Sequence, residues 1–387
     1  MKNQNIVSVS WGDHLLFGEG DGKLDTPKAL EKRMDDWNQN LGATSIHWRQ
    51  VRTILDGHFF AAPGRVHPYE KPLGRIEWND FEVVPEVAHS HNMMANLYVT
   101  LFDEGWQLPP QKERESSYHN SMHCQHVSWQ SSFSYEHPEY TVVDKTGKKQ
   151  WGVLCLAYPE VREYFCNHFI NLLTGYNWDG LFVCFRSQSK PPEFADQYNY
   201  NEPVRNDFLK KYGVDILKED FDLQKWYNML GGYITLFIEQ LREKLKLLDV
   251  KLSVGVARGD VIGPPLGNAT LQWRKWIEDG LVDELIINQN SSQCPSIWHQ
   301  LWPMHRGTGY MQNYLDPNMI QLKEQLDIDY LPVISKNNKK LYIARQWDER
   351  SEQIESQLKN HQAVSGLVFS SFRHDNPNAV SRNNWIA

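Results

Sequence analysis

The chain has 387 residues, 41% of them apolar, and its 40 Lys and Arg against 48 Asp and Glu leave a net charge of −8. That balance argues against a general nucleic-acid binder, which needs a basic face to release phosphate counterions. No apolar run reaches the roughly 18 residues of a membrane span. The outlying feature is aromatic content, 15 Trp, 17 Tyr and 16 Phe, with more tryptophan than core packing usually requires.

The opening MKNQNIVSVSW carries no signal-peptide pattern, since Ile6 already begins a strand-like stretch. The expectation is a cytoplasmic protein, or a secreted or periplasmic one if a leader has been removed. From there a short β-branched run, a loop and an amphipathic helical stretch recur. The predicted strands are Ile6–Ser10, Ser45–Trp48, Asn96–Phe102, Gly180–Phe185, Lys251–Ala257, Glu284–Asn288, Lys340–Ala344 and Gly366–Phe369. Most are continuous apolar runs, as expected of parallel strands covered on both faces.

Helices fill the intervals. Thr26 caps a helix with Pro27 at its first position and Leu30, Met34 and Trp37 on one stripe. Pro159 opens a second that Gly175 ends, and Asp222 caps a long third carrying Trp226, Leu230, Tyr233, Phe237, Leu241 and Leu245. Thr270–Glu278 and Asp348–Asn360 follow, while the helix between the sixth and seventh strands is not evident. Eight strands alternating with helices predict an α/β fold, a (β/α)8 TIM barrel with an open parallel sheet as the alternative. No linker divides the chain, so residues 1–387 read as one domain, expected to be a monomer.

Two insertions interrupt the alternation. Residues 103–150 follow the third strand and include a hairpin pattern turning at Thr146-Gly147; residues 186–220 follow the fourth. Both leave strand C-termini, the face where barrel active sites are built. The strand ends deliver tryptophan, arginine, amide and carboxylate, the composition of a carbohydrate site. The expected substrate-binding residues are Trp11, His14, Trp48, Arg49, Trp106, Arg186, Gln188, Arg258, Asn288, Trp347 and Arg373. Strand-end arginines on an acidic chain imply an anionic ligand, unless each pairs with a neighbouring carboxylate.

Glycoside hydrolysis needs two carboxyl groups flanking the bond. The expected pair is Glu202, in the fourth loop, and Asp260, just after the fifth strand, with Asp103, Glu104 and Asp375 in reserve. A salt bridge is the competing role for Asp260, and a helix start, with Asn201 as its cap, for Glu202. His119, His123 and His126 have helical spacing but lack the carboxylate or thiolate usual at zinc, so no metal is expected. No cofactor is implied either. The five cysteines form no CxxC pair, and Gly231-Gly232 falls inside a helix rather than a phosphate loop.

The segment HPEYTVVDKTGKKQWGVLCLAYPEVREYFCNHFINLLTGYNWDGLFV, followed by YNYNEPVRNDFLKKYGVDI, resembles the glycosyl-hydrolase-like barrels of environmental bacteria. Within that group the chain is similar to the endo-fucanases of glycoside hydrolase family 168, which cut sulfated α-fucans of marine brown algae. The resemblance, densest over residues 85–260, implies a (β/α)8 barrel, an acidic pair carried onto Glu202 and Asp260, and basic residues that recognise sulfate. Many related barrels place an acid at the end of the fourth strand, where this chain has Arg186. The function expected is internal cleavage of an anionic, sulfated polysaccharide. Hydrolysis of a neutral polysaccharide and a non-catalytic carbohydrate-binding barrel are the alternatives.

Overall fold

The structure, a computed structural model, describes residues 4–9, 23–50, 56–61, 78–106, 127–185, 196–263, 266–291, 320–344, 358 and 360–371. Eight strands close a barrel: β1 (Asn5–Val9), β2 (Ala43–Arg49), β3 (Met94–Thr100), β4 (Gly180–Cys184), β5 (Lys251–Arg258), β6 (Glu284–Ser291), β7 (Lys340–Ala344) and β8 (Gly366–Ser370). Each pairs in parallel with its neighbours in chain order, and β1 pairs with β8 to complete the ring. The fold is a (β/α)8 barrel, and the open-sheet alternative is excluded.

Strand alternation divides the side chains between two cores. Ile6, Tyr98, Phe182, Cys184, Ile286, Tyr342, Ala344 and Val368 fill the bore. Val7, Val9, Ile46, Trp48, Leu97, Val99, Leu181, Val183, Val254 and Val256 face outward and meet the helices in the larger core. Gly255 makes room for the Phe182 ring, because a Cβ there would lie 2.7 Å from the ring's Cζ.

The surrounding helices form where the sequence supplies their ends. Thr26 Oγ1 accepts from Ala29 N to start Pro27–Leu41, which buries Leu30, Met34 and Trp37. Pro159–Leu173 follows the third strand's insertion. Asp222 accepts from Gln224 N and Lys225 N to start Leu223–Leu245. Between β6 and β7 lies a helix that the apolar pattern does not reveal: Leu322–Gln325, a π segment Leu326–Tyr330, then Leu331–Lys336. Pro332 explains the π segment, since it lacks an N–H and its ring crowds the carbonyl one turn back. The predicted Asp348–Asn360 helix falls almost wholly outside the described residues.

Loops after β2 and β3 join into a second sheet that sequence reading missed. Val127–Gln130 pairs antiparallel with both His58–Ala61 and Gly105–Trp106. The expected hairpin is present, Thr141–Val143 against Lys149–Leu154, with Gly147 at φ +84 in its turn.

Gly231 and Gly232 differ sharply in their surroundings. A Cβ on Gly231 would lie 2.0 Å from Thr270 O, whereas one on Gly232 would meet nothing within 4 Å. Gly231 is where the 266–271 segment docks on the long helix, beside the bond from Thr270 N to Tyr227 O at 3.0 Å. Gly231→Ala is expected to destabilise by about 1–3 kcal/mol. Gly232→Ala should stabilise by about 0.5–1 kcal/mol. Urea unfolding of the two variants measures both.

Candidate active site

The C-terminal end of the barrel is organised around β2. Its inward residues are Ser45, His47 and Arg49, so this wall of the bore is polar, as are the buried Asn96, Ser253 and Glu284 at the same inward parity on β3, β5 and β6. Ser45 Oγ accepts from Asn96 Nδ2 at 2.6 Å. His47 stacks on Phe182 with ring centroids 4.3 Å apart. At the top, Arg49 Nη2 lies 3.1 Å from Asp103 Oδ2, with both side chains nearly enclosed. The same guanidinium sits 5.9 Å from the centre of the Tyr98 ring.

Glu104 follows directly and takes another direction. Tyr164 donates to its Oε2 at 3.2 Å, and the Ser131 hydroxyl is a second partner. Burial pushes the Glu104 carboxyl up to about 7, with the Asp103 charge helping and the two hydroxyl contacts opposing. Adjacent carboxyls are thus differentiated: one has a cation, while the other is enclosed and half-protonated near neutrality.

Beneath this pair the bore holds polar atoms without hydrogen-bond partners, Ser8 Oγ and both ring nitrogens of His47. These residues are register partners on β1 and β2. Burial pulls the His47 imidazole down to about 3, so the ring is neutral throughout the ordinary pH range.

The residues expected from sequence separate clearly. Glu202 is exposed at the first position of helix Glu202–Tyr212. Asn201, before it, makes no capping bond; its Nδ2 donates to Thr141 O and its Oδ1 accepts from Val143 N. Asp260 is exposed and has the ion pair considered as its alternative role, with Arg274 at 2.5 Å and a bond from Trp273 Nε1 at 3.0 Å. Trp48 requires a correction. It faces outward from β2, is fully buried and donates to Asp80 Oδ2 at 2.9 Å, so it presents no face to a sugar.

Arg49 is at the mouth but paired with Asp103, whereas Arg258, at the end of β5, is fully buried. Asn288 and Trp106 lie in described strands, but their side chains are outside the described residues, as are Trp11, His14, Arg186, Gln188, Trp347 and Arg373. Among the described residues, the reserve carboxylates Asp103 and Glu104 stand at the end of β3, at the barrel mouth. Asp375 and the histidines 119, 123 and 126 are outside the described residues. Among the described residues no cluster of three or more His, Cys, Asp or Glu could hold a metal, and no helix is long and apolar enough to cross a membrane.

With this geometry in place, comparison with solved structures is informative. The catalytic domain of beta-amylase from Paenibacillus polymyxa matches with a TM-score of 0.55 and 10% identity, over 99% of this chain and 95% of that one. The glycoside hydrolase domain of PgaB (BpsB) from Bordetella bronchiseptica matches with a TM-score of 0.50 and 13% identity, over 98% and 97%. The chain shares their fold. No protein-family model matches it, and no curated protein does.

Both titrating groups make stability depend on pH in opposite directions. Glu104 keeps a proton when folded that it loses near 4.5 when unfolded, so stability falls as pH rises from about 4.5 to about 7. His47 refuses a proton when folded that it accepts below 6.5 when unfolded, so stability falls as pH drops from 6.5 towards about 3. Glu104→Gln should flatten the first slope and His47→Phe the second, each by up to roughly 1.4 kcal/mol per pH unit. Urea midpoints between pH 4 and 8 separate the two contributions.

Proposed function

We propose that the chain is a glycoside hydrolase that cuts an anionic, sulfated polysaccharide internally, with endo-fucanase-like specificity. The observation that carries the hydrolase reading is the pair of differentiated carboxyl groups, Asp103 and Glu104, at the end of β3. A fold shared with a beta-amylase catalytic domain and a glycoside hydrolase domain supports it. Glycosidic cleavage requires a group that donates a proton to the leaving oxygen and another that acts as base or nucleophile. Glu104, with its carboxyl held near neutrality, fits the first role, and Asp103, fixed by Arg49, fits the second. The anionic-substrate reading draws on Arg258, which has no carboxylate partner among the described residues.

A second assignment keeps the acidic pair read from sequence, Glu202 with Asp260. Its supporting observation is exposure: both carboxylates face solvent, where a polymer can reach them. Mutagenesis distinguishes the two. Asp103→Asn and Glu104→Gln are each expected to lower turnover by about two to four orders of magnitude while the circular dichroism spectrum is kept. Glu202→Gln and Asp260→Asn should then remain within a few-fold of the parent. The opposite result moves the chemistry to the second pair. Release of reducing ends should be greatest on sulfated fucan and should fall on the desulfated polymer. Equal rates on neutral polysaccharide would identify a neutral-glycan hydrolase, and binding without new reducing ends a carbohydrate-binding barrel.

A further inference from the structure

The acid at the end of β3 is held by a residue that arrives from the outer ring of helices. Tyr164 lies on helix Pro159–Leu173, 60 residues along the chain from Glu104, and its hydroxyl donates to Glu104 Oε2 at 3.2 Å. Two neighbours fix the ring. Phe133, on the short helix Ser132–Glu136 of the insertion, stacks on it with centroids 3.8 Å apart and planes 5° from parallel. His168, one turn along the same helix as Tyr164, stacks at 5.7 Å and 14°. Phenylalanine would fill that stack equally well, so packing does not account for the hydroxyl.

A third group joins the pair. Ser131 bonds with both Glu104 and Tyr164, and its Oγ also accepts from Ser134 N at 3.2 Å. A serine hydroxyl has one proton, so Ser131 can donate to Glu104 or to the Tyr164 oxygen, not to both. Tyr164 donates to Glu104 in either case. Burial and the Glu104 charge hold the phenol well above its ordinary range, so it keeps its proton at every ordinary pH. Around Glu104 the Ser131 and Tyr164 hydroxyls favour the ionised carboxyl, whereas burial and the Asp103 charge oppose it. Asp103 itself has Arg49. On the Tyr164 side Asp56 adds a negative charge, and burial favours the neutral form of His168 against the pull of Asp56.

We propose that Tyr164 is a positioning residue for Glu104: its hydroxyl holds the carboxyl in one orientation and supports the carboxylate left when the proton is given up. The glycosidic oxygen takes that proton as its bond to the anomeric carbon breaks, and it keeps the electron pair of that bond. Asp103, or a water that Asp103 deprotonates, supplies the pair that replaces it. Ser131 turns its proton to Glu104 as the charge appears, while Tyr164 is already in place. The catalytic part of this role rests on the function proposed above; the hold of Tyr164 on the Glu104 carboxyl does not.

The test is Tyr164→Phe on the intact chain, which keeps the stack on Phe133 and removes the hydroxyl. Glu104 is titrated without substrate through the infrared C=O band of its protonated carboxyl, identified by its loss in Glu104→Gln. The midpoint in Tyr164→Phe is expected to rise by about one pH unit. Phe133→Leu keeps the hydroxyl but frees the ring, and a smaller rise is expected. In turnover on sulfated fucan, the alkaline limb of the kcat profile should move up with the midpoint, with KM within about twofold of the parent. A purely structural role would lower stability and leave midpoint and limb in place. The proposal is overturned if folded Tyr164→Phe titrates like the parent, or, should that variant not fold, if Phe133→Leu does. A raised midpoint with an unmoved limb is the outcome in which Glu104 fails as the acid while the hold of Tyr164 on it stands.

Discussion

Closure of the parallel ring is the constraint from which the rest of the structure follows. A ring of eight strands has no edge to pair elsewhere, and its bore must be filled by the inward side chains of every strand. Most strands answer with apolar residues, and β5 answers with Gly255 so that Phe182 can reach across. Only β2 contributes Ser45, His47 and Arg49 in succession, with Ser8 of β1 alongside. That polar wall admits charge at the C-terminal end of the barrel, while Glu284, paired with Lys340, admits it at the start of β6. It also explains why the bore ends in an ion pair and not in an apolar plug.

Once charges are placed in a medium of low polarity, their partners decide their state. Asp103 and Glu104 are joined by one peptide bond but have separate surroundings. Asp103 meets the Arg49 guanidinium, while Glu104 meets two hydroxyls under the inserted loops. The insertions therefore do more than shape a cleft. The hairpin carbonyl of Gly152 accepts from Glu104 N at 2.9 Å, and Ser131 N donates to the Glu104 carbonyl at 2.9 Å, so the backbone of the acidic segment is clamped from both sides. The tryptophans divide along the same boundary: Trp37, Trp226, Trp273 and Trp276 are packing residues, as their helical positions suggest, and Trp48 and Trp129 join them.

The barrel was legible because buried parallel strands are written as continuous apolar runs, and each predicted strand overlaps the observed one closely. What was not legible has physical reasons. The sheet formed by His58–Ala61, Val127–Gln130 and Gly105–Trp106 depends on pairing between segments about 70 and about 25 residues apart, which no local pattern records. The helix before β7 is short and broken by Pro332, so it lacks a sustained 3.6-residue stripe. At the site, reading strand ends as equivalent concealed the alternation. Arg49 shares the inward parity of Ser45 and His47, whereas Trp48 shares the outward parity of Ile46. That signal was present in the sequence and separates the mouth residue from the core residue.

The same parity applies at β5. Val254 and Val256 face the helices, and Arg258 and the groups near Asp260 continue on that side, towards Tyr330, Trp273 and Arg274. Among the described residues, two cations, Arg258 and Arg274, and two carboxylates, Asp260 and Asp329, lie in this region. Their pairing is uneven. Both carboxylates converge on Arg274, which also lies over the Trp273 ring at 4.4 Å. Arg258, the more deeply buried of the two, has no carboxylate partner among the described residues and carries the greater desolvation.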